Sequence, residues 1–268
     1  MDIKFNKTAA SFDAKGAYLK ELKINDNIII KKTYDNNDTH GGAAVLFPFG
    51  NRIKNAEYKY KNIKYTLPKN DGNNSIHGLI RNEIFDYNKY ENGIEFYKNF
   101  EDTNYPGKAF IKINYEITDN IFNTYFYVKS TENEIPVEIG FHPYFYINGY
   151  YNIYYKNRLK MMNYVDTYFP DGTYTDLDLK NKNLLDIVLD NAFYLDGDII
   201  LNDDSHTVKI IRYNMPYIVL YNGIYANGNS IAIEPMTGAP NVFNNNIGLI
   251  NLKKNHEFKC GYSVELLK

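Results

Sequence analysis

At 268 residues, with 30 Lys and Arg against 32 Asp and Glu, the chain is close to neutral and carries a formal charge of -2. That balance offers no basic footprint for nucleic acid, and no apolar run approaches the length of a membrane span. A single cysteine, Cys260, excludes an internal disulfide framework and fits a reducing compartment.

Hydrophobic residues make up 44% of the chain, enough to build a core without covalent staples. With 27 Tyr and 16 Phe and no Trp, the composition favours pleated, half-buried surfaces. The opening MDIKFNKTAA has no apolar signal core, so a cytoplasmic location is expected.

In chain order, Ile28-Ile29-Ile30 predicts a strand, and Tyr34 to Gly42 a polar loop holding a solvated His40. Val45 to Phe49 is an apolar segment broken by Pro48 and Gly50. Asn51 and Arg52 follow it, so the guanidinium can be held near the interior. Its rigid fork of donors suits carboxylates or paired hydroxyls, although Asn51-Arg52 read alone fits a surface pair equally well.

Glu57 to Leu67 reads as a hairpin turning at Lys61-Asn62. Ser75 to Arg81 contains His77 beside Gly78, where the missing side chain permits close approach of backbone or ligand; read singly, His77 also fits a hydrogen-bonded structural histidine. From 83 to 130 the pattern is all strand. Ile111, Ile113, Tyr115 and Ile117 alternate on one arm, Thr118-Asp119-Asn120 turns, and Phe122, Thr124, Phe126 and Val128 alternate on the return.

His142 lies in Gly140-Phe141-His142-Pro143-Tyr144, flanked by aromatics and biased to an extended backbone by Pro143. An imidazole so placed has few solvent partners, and its protonation should follow whatever lies opposite. Asp190-Asn191 ends an apolar run and reads either as a turn or as a carboxylate at a strand edge.

A hairpin is expected over Ile199–Ile210, and an alternating last strand from Phe258 to Leu266; Pro216 to Tyr221 leads to the run before Glu234. His206 and His256 are expected at solvated turns. Ile231-Ala232-Ile233-Glu234-Pro235 reads as a short buried strand with its ladder failing at Pro235. A carboxylate at Glu234 is costly unless partnered, whether by an arginine in a structural role or by a ligand. Short strands with regular turn signals and no linker or repeat point to an all-β sandwich in one domain, residues 1–268.

The order Asn51-Arg52, His77-Gly78, Gly140-Phe141-His142-Pro143-Tyr144-Phe145, Asp190-Asn191-Ala192-Phe193 and Glu234-Pro235-Met236-Thr237 resembles the aldose 1-epimerase (galactose mutarotase) family, from about Val45 to the last strand. The resemblance implies a large antiparallel β-sandwich with an open sugar cleft, no cofactor and no required metal. It implies Glu234 as general base and His142 as general acid, on opposite sides of the C1–O5 unit of a free hexose, and Arg52, His77 and Asp190 as residues that hold the sugar. Asn51 and Arg81 are further candidates for sugar contact, and Arg81 is the residue that could reach a phosphate.

The expected partner is a small aldohexose, with no nucleic acid and no membrane, and the chain a monomer or homodimer. Two other readings remain open at this point: a hexose-phosphate mutarotase on the same fold, and a carbohydrate-binding or sensor protein without turnover. Gly50, Asn241 and Lys254-Asn255-His256 depart from the family pattern, which touches loop shape and sugar preference rather than the five matched site residues.

Overall fold

A computed structural model describes residues 1–268, and almost all of its regular structure is strand. Eight strands form one antiparallel sheet in the order Tyr151–Tyr155, Ile199–Asp203, Thr207–Tyr213, Glu257–Leu266, Ile121–Ser130, Lys108–Ile117, Gly93–Glu101 and Asp86–Tyr90. Its central strands follow the period of two that alternation demands. Ile111 pairs with Val128, Ile113 with Phe126 and Ile117 with Phe122, all facing inward. The outer face carries cross-strand ion pairs such as Lys112–Glu95 at 2.8 Å and Lys129–Glu257 at 3.4 Å.

Eleven strands form the second sheet. Its middle runs Gly140–Tyr146, Ser230–Met236, Tyr217–Tyr221 and Asp190–Tyr194, each antiparallel to the next, and Ala43–Leu46 lies beside Gly140–Tyr146. Alternate residues of these strands (Phe141, Phe145, Phe193, Ile218, Leu220, Ile231 and Ile233) join Ile111, Ile113, Phe126 and Val264 of the eight-stranded sheet in one cluster of 62 buried residues. Each large apolar side chain so buried contributes about 1.5–3 kcal/mol, and together they fix which face of the larger sheet turns inward. The intervening residues point to the opposite face, where Ala44, Leu46, Ala192, Val219 and Met236 form a smaller cluster.

The hairpin of Glu57–Tyr60 and Ile63–Thr66 turns as expected at Lys61 and Asn62, both with positive φ (48° and 65°), the backbone of a tight two-residue turn. No helix is long and apolar enough to cross a membrane.

The expectation at Pro235 needs correction. The strand continues through it to Met236, and Pro235 lies opposite Ile218 on one side. On the other side the ladder with Gly140–Tyr146 is open between the Gly140–Met236 and Tyr144–Ala232 pairs. Pro143 and Pro235 both fall in that gap, and neither has an N–H to donate.

Candidate active site

The gap in the ladder is where the site begins. Keeping the register of the flanking pairs, His142 falls opposite Glu234. Both side chains point to the face away from the main core, because their neighbours Phe141 and Ile233 point into it. His142 Nε2 stands 3.5 Å from Glu234 Oε1, and the two residues are only 5% and 3% exposed. Ala44 lies beside His142, and Val219 then Ala192 beyond Glu234, so small side chains flank the pair. The next row of the same face runs Tyr144, Ala232, Tyr221 and Asp190.

These two rows form the floor of a cleft of about 480 Å³, within the range of small-molecule sites. All seven residues singled out from the sequence line it: Asn51, Arg52, His77, Arg81, His142, Asp190 and Glu234. Arg52 is held on two sides. Its Nε donates to Asp71 Oδ2 at 2.7 Å, and its guanidinium carbon lies 3.9 Å from the centre of the Tyr168 ring. Asn51 Oδ1 accepts the Arg52 backbone N–H at 2.7 Å. Arg81 donates to Asp38 Oδ1 at 2.6 Å. Asp190 opens a strand at the cleft edge, exposed rather than folded into a turn.

His77 takes a left-handed backbone with φ of 65°, and its ring meets His142 edge-on with centroids 5.2 Å apart. Gly78 makes this possible, since a Cβ there would sit 2.3 Å from Phe47 O. The Leu79 N–H then donates to the same Phe47 carbonyl at 2.7 Å.

Burial sets the protonation of the pair. It pushes Glu234 well above the ordinary carboxylate range, assisted by the nearby Asp190 charge and opposed by Arg52. It lowers His142 to about 3, assisted by Arg81 and His40. His77 is pushed well down by burial and by His142. Asp190 is pushed up by the surrounding protein and pulled back by Arg52.

Each member of the pair thus tends to its neutral form. A protonated Glu234 beside a neutral His142 and a carboxylate beside an imidazolium contain the same number of protons, so the pair works as one unit holding a single mobile proton.

The structure corrects three expectations. Glu234 and His142 stand side by side on one wall, too close for a sugar ring to lie between them, because they occupy adjacent strands in register. His40 is not a solvated loop histidine. Its Nδ1 lies 2.6 Å from Asp35 Oδ2, its ring stacks on Tyr225 at 3.9 Å, and it lines the cleft. His206 is buried at 5% exposure, inside a turn where its backbone N–H donates to Asp203 Oδ1 at 2.7 Å. His256 is exposed as expected.

Sequence reasoning passed over Asp71, Tyr144, Tyr168, Tyr221 and Tyr225, which also line the cleft. Tyr144 and Tyr221 were accessible in principle, at i+2 from His142 and in the strand that pairs with Ile231–Glu234. Asp71 and Tyr168 lie on loops whose partners are distant in sequence.

A family model described as "Aldose 1-epimerase" matches residues 2–265. Among solved structures, the fold is similar to a galactose mutarotase-like protein from Clostridium acetobutylicum, with a TM-score of 0.86, 19% identity, and 97% of this chain and 92% of that one covered. It is similar to the GalM/aldose epimerase homologue from C. elegans, with a TM-score of 0.85, 17% identity, and 99% and 98% covered. It is also similar to galactose 1-epimerase from Lactobacillus acidophilus NCFM, with a TM-score of 0.80, 19% identity, and 98% and 92% covered. No curated protein sequence matches.

Proposed function

The chain belongs to the aldose 1-epimerase family, and from that premise we propose that it interconverts the α and β anomers of free hexoses such as glucose or galactose. The observation that carries this reading is the buried Glu234–His142 pair, 3.5 Å apart on the floor of an open cleft. The two reacting oxygens of a pyranose, O1 and O5, are bonded to the same carbon, so two groups side by side on one wall suit them.

In the ring-opening direction the Glu234 carboxylate takes the proton of the O1 hydroxyl while the His142 imidazolium gives one to O5. The C1–O5 bond breaks as the C1=O bond forms. After rotation about C1–C2, the neutral imidazole takes the proton back from the O5 hydroxyl and the Glu234 carboxylic acid returns one to O1. The ring closes on the other face, and the pair recovers its starting form. Each half-reaction uses one of the two forms of the one-proton pair, so each group acts once as acid and once as base. Arg52, His77, Asp190, Asn51 and Arg81 hold the hydroxyls, with Arg52 and His77 stabilising charge that develops on oxygen.

Free sugars fit the cleft better than phosphorylated ones, because both arginines already face a carboxylate, Arg52 at Asp71 and Arg81 at Asp38. A phosphate site ordinarily gathers unneutralised donors. The second reading, a hexose-phosphate mutarotase, draws on one observation: Arg81 and Asn37 also border an adjoining depression lined by Lys15, Lys20 and Lys32.

Polarimetry on freshly dissolved α-D-glucose, α-D-galactose and α-D-glucose 6-phosphate separates the readings. Acceleration of the free hexoses above the phosphate supports the first and the reverse order the second. Binding without acceleration of any aldose would identify a carbohydrate sensor instead.

A further inference from the structure

Glu138 is a buried carboxyl that the proposed chemistry does not use. It is 1% exposed, and no lysine or arginine pairs with it. Burial lifts it to about 8, against the pull of the Gly50 and Gly238 N–H groups. An unpaired carboxyl in such a place is destabilising unless its hydrogen bonds do something an apolar side chain cannot.

Its position indicates what that is. Glu138 lies where the three segments that carry the site cross. Its backbone N–H donates to Pro48 O at 2.8 Å, and its side-chain Oε2 accepts the N–H of Gly50, so both ends of the residue grip the segment leading into Asn51 and Arg52. The next residue, Ile139, exchanges hydrogen bonds with Thr237, its N–H donating to Oγ1 and its carbonyl accepting the Thr237 N–H, each at 2.9 Å. That contact ties the His142 strand to the end of the Glu234 strand. On the far side of the arginine, Asn241 N–H donates to Arg52 O at 2.7 Å.

The fit around the carboxyl is close. A Cβ at Gly50 would lie 2.4 Å from Met236 Sδ and 3.0 and 3.1 Å from the two Glu138 carboxyl oxygens. A side chain at Gly50 would crowd both groups.

We propose that Glu138 is a positioning residue for the sugar site: by accepting the Gly50 N–H, it sets the path of residues 50–52 and so the place of the Arg52 guanidinium. This rests on the assignment of Arg52 to sugar binding, and two independent readouts keep the two claims separable. The first is hydrogen exchange at Gly50 in the sugar-free wild-type protein, where strong protection is expected; exchange at the rate of an open loop would overturn the proposal whatever the variants do.

The second is the kinetics and sugar affinity of Glu138→Gln, whose carbonyl still accepts the N–H, and of Glu138→Leu, which removes the acceptor. Glu138→Gln keeps KM within about threefold, while Glu138→Leu raises KM and the dissociation constant for galactose about tenfold or more with a smaller change in kcat. A folded Glu138→Leu protein with wild-type KM and a protected Gly50, or a Glu138→Gln protein with KM raised tenfold, would overturn it. If Glu138→Leu does not fold, Glu138→Gln and the wild-type exchange decide. A wild-type protein that binds galactose but turns nothing over would defeat the proposed function and leave the affinity and exchange arms intact.

Discussion

The two large sheets share one core and differ in what their other faces do. The eight-stranded sheet keeps unbroken ladders, clean alternation in its central strands and a solvent face of paired charges, and none of the residues assigned to the site comes from it. The middle of the eleven-stranded sheet alternates as well, but its second face is largely buried and sets polar side chains among small apolar ones. Two prolines and a glycine lie in one strand pair, the ladder opens, and an acid and an imidazole meet in the opening. A regular ladder satisfies every backbone group and leaves nothing to react. In this molecule the proposed chemistry falls where sheet regularity lapses, and the regular sheet opposite packs behind it.

Substitutions can break that comparison. The largest expected effect is at the pair itself: Glu234→Gln and His142→Asn each lower kcat by about 10²–10⁴-fold while sugar still binds. A matched disruption of the quiet sheet, Phe126→Ala, is expected to lower stability by about 3–5 kcal/mol and to leave kcat/KM per folded molecule unchanged. Chemical denaturation read beside kinetics checks both halves. At the small end, Lys112→Ala removes half of a surface ion pair and should move stability by no more than about 1 kcal/mol, with no kinetic consequence.

The pH profile sharpens the comparison further. The working form of the pair holds one proton. Burial lowers His142, so a second proton joins only well below the ordinary value of 6.5. Burial raises Glu234, so the last proton leaves only well above the ordinary value of 4.5. The expected kcat/KM therefore falls on the acid side below the usual imidazole range and on the alkaline side above the usual carboxylate range, with a plateau between. An acid limb centred at 6.5 would mean that His142 titrates as a solvated imidazole, contrary to its place in the fold.

Much of this was legible in the chain. Period-two alternation announced the central strands of the eight-stranded sheet, and the apolar run into Glu234 and the aromatic frame of His142 marked two residues that the fold brings together. What escaped was information held between distant positions. His40 looks like a loop histidine until Tyr225, which no local pattern links to it, stacks on its ring. Pro235 looks like a strand end, yet the ladder with Tyr217–Tyr221 runs through it opposite Ile218. The mutual place of Glu234 and His142 depends on the register between two strands far apart in sequence, and spacing along the chain says nothing about register. Asp71 and Tyr168, which hold Arg52, carry no motif at all.

The most direct test of the account is the rate at which freshly dissolved α-D-galactose loses its excess optical rotation with wild-type protein and with Glu234→Gln, both at saturating sugar. Strong acceleration by the wild type and a loss of at least about a hundredfold in the variant, with galactose still bound, is the predicted result. Equal acceleration by the two proteins would contradict it, since the carboxyl facing His142 would then have no part in moving the proton.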